Sequence, residues 1–337
     1  MHNVCKNCFS DRELVGFITS KAITGNCNFC GAKDAECIPI EELFDFFKEL
    51  LDNFRITSDG DSLKSKIQSN WSLFSSLDSA YKILNYVVDK IETNITNADI
   101  KVDFSPEILD NVNYWDKLKS QLMWENRYIT DVSYLTDDLG WDGFFQSQIE
   151  LQKGTELFRG RLHHNSADVP FVNEEMFCPP KEKATAGRAN PLGIPFLYLS
   201  DNKETVLYEI RASYLDEVSI GTFSLKNELS TKVIIADFTE NVTIFHPSRV
   251  GERIKSTLLR RKISDDLSRP MRRYDSELDY VATQFICEFI KIYTGVQGIK
   301  FRSSLHTLGN NLVVFDQAIM VCTSIEKVKV NRVKISV

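Results

Sequence analysis

The chain has 337 residues, of which 43% are hydrophobic and 26% charged, with a net charge of −7. That balance describes ordinary folded domains, about two by length, and excludes disordered and fibrous classes. The acidic surplus argues against an extended nucleic-acid surface, and apolar runs such as LVVF and KVIIADF are too short to cross a membrane.

Residues 1–37 hold five of the eight Cys and little regular periodicity. The opening MHNVCKNC lacks the apolar core of a secretory signal, so the expectation is a cytoplasmic protein whose Cys are reduced thiols or metal ligands. Cys5-x-x-Cys8 and Cys27-x-x-Cys30, with eighteen residues between the pairs, have the spacing of a structural zinc site. Four thiolates close a tetrahedral shell and leave no open position for catalysis, and Gly31 suits the turn after the second pair. The competing reading is two unrelated buried Cys pairs. Cys37 reads as a bystander, and Cys178, Cys287 and Cys322 as small buried hydrophobes.

Residues 38–150 predict a mainly helical region. Leu43, Phe47, Leu50, Leu51 and Phe54 form one apolar stripe, and Phe74, Leu77, Tyr81, Leu84, Val88 and Ile91 a second. Ser105 followed by Pro106 predicts a helix start. All four Trp (71, 115, 124 and 141) fall here, which places a domain boundary near residue 150.

Residues 151–337 change texture. ELFRG, PFLYLS, SIGTFSL, KVIIADF, GIKFRS and NLVVFD read as short strands. One helix is expected after Asp201, as N-cap with Glu204 three residues on, and another over about 277–294. Strands joined mostly directly, with two helices, predict an α+β domain.

Within this part, four residues form a chemically coherent set. Arg188 lies in the Gly-flanked loop AGRANPLG, where a guanidinium can fork onto phosphate oxygens, although an Arg in such a loop is more often simply solvated. Tyr198 ends an apolar strand and can stack or hydrogen-bond; by itself it reads as a core aromatic. Glu209 follows one helix later beside Val206, Leu207 and Ile210, a costly place for an unpaired carboxylate, with Arg211 as the alternative ion-pair partner. Ser303 closes the strand GIKFRSS.

The order of these residues, with steps of ten from Arg188 to Tyr198 and eleven from Tyr198 to Glu209, resembles the RES domain, the toxin of a bacterial toxin–antitoxin class, over about residues 150–320. Arg188, Tyr198 and Glu209 match its Arg, Tyr and Glu. Ser303 matches its Ser, with Ser304 as the adjacent alternative. Arg159 in LFRGR matches a further Arg, with Arg161 as competitor. The family's Tyr-Pro-Ser is here Phe301-Arg302-Ser303, a departure, and YVATQFICEFIK from Tyr280 resembles the scaffold helix before the Ser strand.

The resemblance implies an ADP-ribosyltransferase-like fold that takes NAD as substrate and cleaves its nicotinamide–ribose bond. The acceptor is left open among water, phosphate and a protein. Arg188 and Arg159 would hold pyrophosphate, Tyr198 would orient the ring, and Glu209 would stabilise the sugar cation. Ser303 would fix nicotinamide or ribose. An antitoxin or regulatory partner follows from the same resemblance, and a homodimer and nucleic-acid binding through the zinc ribbon stay open. Two rival classes are a ribbon-based partner-binding module with a non-catalytic C-terminal scaffold, and a HEPN-type ribonuclease using Arg159 and His164, whose R-x4-H spacing belongs on a helix. No GxGxxG loop or P-loop is present to suggest a dehydrogenase or kinase.

Overall fold

The computed structural model describes residues 2–145, 147–164, 169–240, 242–269 and 277–332. Its packing forms two compact units, Met1–Tyr114 with Asn241–Leu259, and Trp115–Glu240 with Arg260–Val337.

The first unit begins with a small antiparallel sheet of β1 (Asn3–Cys5), β2 (Ile23–Gly25) and β3 (Ala35–Pro39), ordered β1-β3-β2. Helix α1 (Arg12–Lys21) lies between the first two strands. Its N-cap Asp11 accepts from the backbone N–H groups of Glu13 and Leu14 through one oxygen, and from those of Ile244 and Phe245 through the other. That carboxylate is 3% exposed, so its four charge-assisted bonds replace the water it loses. The helical region follows as α2 (Phe44–Asp52), α3 (Leu63–Trp71), α4 (Leu77–Val88) and α5 (Pro106–Trp124), the last starting at Pro106 as its sequence predicts.

The expected helical stripes overrun these helices. Phe54 opens β4 (Phe54–Ser62), which pairs antiparallel with β5 (Lys101–Phe104), and Phe74 lies before α4. β-Branched Ile56 and Thr57 with turn-forming Asp59-Gly60 favour the strand and its irregularity over a continued helix. The first stripe is nonetheless core throughout, whereas Leu77 and Tyr81 of the second are exposed. Phe47 and Phe74 are fully buried with rings stacked at 6.4 Å, each contributing about 1.5–3 kcal/mol of hydrophobic stabilisation.

The second unit is built on an eight-stranded sheet of β6 (Gln148–Leu151), β7 (Leu157–Leu162), β8 (Leu197–Ser200), β9 (Glu217–Leu225), β10 (Val233–Asp237), β11 (Gly298–Arg302), β12 (Asn310–Val314) and β13 (Met320–Lys329). The order is β13-β9-β7-β8-β12-β11-β10-β6, antiparallel throughout except for the β10–β11 pair. With α6 (Lys203–Glu209), α7 (Val250–Ser268), whose residues from Arg260 on belong to this unit, and α8 (Val281–Thr294), the class is α+β. Helix α7 is a third helix that the sequence did not announce, because its charged, weakly amphipathic VGERIKSTLLRRKISDDLS hides the apolar period.

Alternation along the strands separates two faces. Leu197, Leu199, Leu312 and Val314 join Met176 and Phe223 in one apolar cluster. Tyr198, between two of them and paired with Val313, therefore points to the other side. There Phe158, Val218 and Ile220 meet Val206 of α6. Gly160 permits that contact, because a Cβ would sit 2.5 Å from the Val206 side chain. The N-cap of α6 is Asn202, which accepts from the Glu204 N–H, and not Asp201. The Asp201 carboxylate instead takes the backbone and side-chain amides of Asn310, at 2.8 and 2.7 Å. Among the described residues no helix is long and apolar enough to cross a membrane.

Candidate active site and metal centre

The metal centre is assembled by two tight turns. Strand β1 ends at Cys5, and the single helical turn after it delivers Cys8. The second turn is closed by Cys27 N–H to Ala32 O and Gly31 N–H to Cys27 O, with Gly31 at a positive φ of 76°. All four Sγ atoms lie within 4.8 Å of one another, with Cys5–Cys8, Cys5–Cys30 and Cys8–Cys27 separations of 3.8, 3.4 and 3.6 Å. A tetrahedron with Zn–S bonds of about 2.3 Å has edges of about 3.8 Å, so the four sulfurs fit a zinc ion with little adjustment. The hydrogen bond from Cys8, reinforced by backbone N–H groups of Cys30, Phe29 and Cys5, holds the Cys27 thiol down to about 4 against its burial, whereas burial and hydrogen bonding push Cys5 up to about 12. An easily formed Cys27 thiolate offers a first ligand to a divalent cation, whose binding would draw the protons off the other thiols. Cys37 stays outside the cluster, buried on β3 opposite Cys5 with its thiol toward Gly25 O.

The candidate active site is a cavity of about 350 Å3 in the second unit, within the usual range of small-molecule sites. Its lining includes Phe158, Arg159, Gly187, Arg188, Tyr198, Val206, Glu209, Tyr280, Phe301 and Asn311. The sheet order explains the meeting. Adjacent strands β7, β8, β12 and β11 carry Arg159, Tyr198, Asn311 and, just past the end of β11, Ser303, while α6 returns from β8 to deliver Glu209 as its last residue.

Arg159 lies on β7 with its Nε buried and without a hydrogen-bond partner among the described residues. Burial pulls its guanidinium below the ordinary arginine range, while the neighbouring Cys178 thiol pulls the other way. An orphaned buried donor costs about 1–3 kcal/mol. Its competitor Arg161 is engaged elsewhere, donating to Glu175 O and lying 5.3 Å over the Phe171 ring. The R-x4-H pair is not helical: Arg159 is on β7 and exposed His164 lies beyond that strand's end. The ribonuclease motif therefore lacks its required scaffold.

Arg188 donates to Leu267 O at 2.9 Å and lies 6.0 Å from the Tyr280 ring centre. Its loop is pinned to α8, where Thr283 donates to Arg188 O and Gln284 to Gly187 O. Tyr198 completes the pinning by donating to Asn190 Oδ1 at 2.8 Å and accepting from Ala189 N–H at 3.0 Å. Gly187 lies so close beneath that hydroxyl that a Cβ would sit 2.6 Å from it. Burial pushes the Tyr198 phenol well above its ordinary range, so it works as a neutral group that orders the Arg188 loop.

Glu209 is exposed, so the desolvation cost expected from its apolar neighbours is not incurred. Its Oε1 accepts from Ser303 Oγ and from Asn311 Nδ2, both at 2.7 Å. Ser303, not Ser304, makes this contact; it is 5% exposed whereas Ser304 is open to solvent. Arg211 terminates α6 in the left-handed region at φ 54°. Asn311 was not singled out in the sequence, where GNNLVVFD reads as a turn leading into a strand.

The RES domain family model matches residues 157–334, more than half of the chain, and the chain belongs to that family. A chain of the M. tuberculosis MbcT–MbcA toxin–antitoxin complex is similar at 12% identity with a TM-score of 0.30, covering 56% of this chain and 91% of that one. No curated protein sequence matches it.

Proposed function

We propose that this protein is an NAD-consuming toxin or defence effector that cleaves the nicotinamide–ribose bond. The proposed organisation is a zinc ribbon over residues 1–37, a helical region over 38–150 and a catalytic RES domain over 151–337. One observation carries the reading: a single cavity is lined by two arginines, an aromatic and a carboxylate held by two donors. NAD presents the matching chemistry, a pyrophosphate for the cations and a sugar that becomes cationic as its base departs.

In this mechanism Arg159 and Arg188 bind the pyrophosphate, Arg188 through its planar fork. Tyr198 holds the Arg188 loop in register and offers its ring to the ligand. Nicotinamide leaves as a neutral base with the bonding pair, and the ribose passes through an oxocarbenium-like state that the Glu209 carboxylate stabilises. Water, phosphate or a protein nucleophile then adds to the anomeric carbon. The RES resemblance brings with it an antitoxin partner that restrains the activity. The four-cysteine centre takes no part in the chemistry, because a closed thiolate shell offers no open coordination site; it serves as a fold-stabilising zinc site.

Expression in bacteria tests the reading: wild type should lower cellular NAD and arrest growth, and Glu209→Gln should do neither. Growth arrest with an unchanged NAD pool would reject NAD as the substrate.

A further inference from the structure

Two side chains converge on one oxygen of Glu209, and the bonding capacity of each defines its role. A serine hydroxyl has one hydrogen and two lone pairs. The Ser303 hydrogen goes to Glu209 Oε1, and its oxygen accepts the backbone N–H groups of Leu305 at 3.2 Å and His306 at 3.1 Å. That hydroxyl has nothing left for a ligand, and Ser303 is not among the cavity-lining residues. Asn311 donates to the same Oε1 from β12, where it is paired with Ser200 on one side and Phe301 on the other. Both hydrogen bonds fall on Oε1, which leaves Oε2 for the cavity.

The loop after Ser303 is tied to α6 as well. The His306 ring contacts Thr205 Oγ1 at 2.7 Å and stacks on Tyr208 with centroids 5.2 Å apart. The Ser303 donor and the helix that carries Glu209 are therefore held to one another. A carboxylate on a solvent-exposed three-torsion side chain would otherwise sample several rotamers, and two donors on one oxygen select one of them.

Resting on the NAD reading above, we propose that Asn311 is a positioning residue for the reaction, acting with Ser303 to orient Glu209. Ser303 thereby works through Glu209 and not by touching nicotinamide or ribose. Neither residue takes part in bond making; both restrict which carboxylate oxygen meets the reacting sugar.

Kinetics with NAD and ligand-free crystal structures of Asn311→Ala, Ser303→Ala and the double variant test this. Asn311→Ala should lower kcat about tenfold, the scale of losing one hydrogen bond to a charged group, with KM within about twofold. Because the two donors share one target, the double variant should lose less than the product of the single losses. Asn311→Asp, which sets a second carboxylate against Glu209, should be worse than Asn311→Ala. Should Asn311→Ala fail to fold, Asn311→Ser, too short to reach Glu209, is read the same way. An unchanged kcat, or a raised KM at unchanged kcat, would overturn the positioning role while leaving NAD as substrate. If wild type does not cleave NAD, the functional reading falls, and the ligand-free crystals decide the positioning role alone. Glu209 should leave its wild-type rotamer in the double variant, and an unmoved Glu209 would overturn the proposal.

Discussion

The four-cysteine centre and the candidate active site are built in opposite ways. The four thiols come from two short turns between Cys5 and Cys30, so their geometry is written locally and each sulfur is one quarter of a single object. The cavity of the second unit gathers Arg159, Arg188, Tyr198, Glu209 and Asn311 from distant stretches of chain, and only the strand order brings them together. Loss of a thiol should therefore remove structure, whereas loss of a cavity side chain should remove function and leave structure.

The largest effect is expected at the metal centre. Structural zinc contributes on the order of 10 kcal/mol to small zinc-bound folds. Cys27→Ser should abolish the expected equivalent of zinc in metal analysis and lower the stability of the first unit severely in thermal melts. Since thiolates must be deprotonated to bind, acidification should release the metal in the same assay. A Cys27→Ser protein that melts like wild type would break the contrast at its structural end.

Glu209→Gln comes next. It keeps size and removes charge, so kcat for NAD cleavage should fall roughly 10²–10³-fold, about 3–4 kcal/mol. The melting temperature should stay at the wild-type value, because Glu209 is exposed and its two donors can bond the amide oxygen. A destabilised but fully active variant would make Glu209 a structural residue.

Asp11→Ala should cost about 2–4 kcal/mol in urea unfolding, because four backbone N–H groups lose a buried acceptor. The smallest effect is expected for Arg188→Lys. The charge remains but the planar fork is lost, so KM for NAD should rise about tenfold, or ~1.4 kcal/mol, with less change in kcat. A fall in kcat at unchanged KM would move Arg188 from binding to the reacting carbon.

What the sequence disclosed follows the same division. The Cys spacing was legible because two x-x turns and their separation determine a tetrahedral cluster almost without context. Arg188, Tyr198 and Glu209 were legible as a spaced set because a strand and a following helix connect them over a short stretch. Asn311 was not, since its meaning comes from the β8-β12-β11 order that sets it beside Glu209. The hydroxyls of Tyr198 and Ser303 read as ligand contacts in one dimension, but in three dimensions both are bonded within the protein. Helix α7 was not legible because charged residues mask its period, and strand β4 because the apolar stripe of α2 runs on into Phe54.

Incubating the purified 337-residue chain with NAD, with and without phosphate, and identifying the products by mass spectrometry beside Glu209→Gln decides whether this protein cleaves the nicotinamide–ribose bond. Wild type should release nicotinamide stoichiometrically with an ADP-ribose species whose acceptor identifies the reaction, and the variant should release it about two to three orders of magnitude more slowly. NAD that stays intact with the folded, zinc-loaded wild type, or nicotinamide released equally fast by Glu209→Gln, would contradict the proposed mechanism.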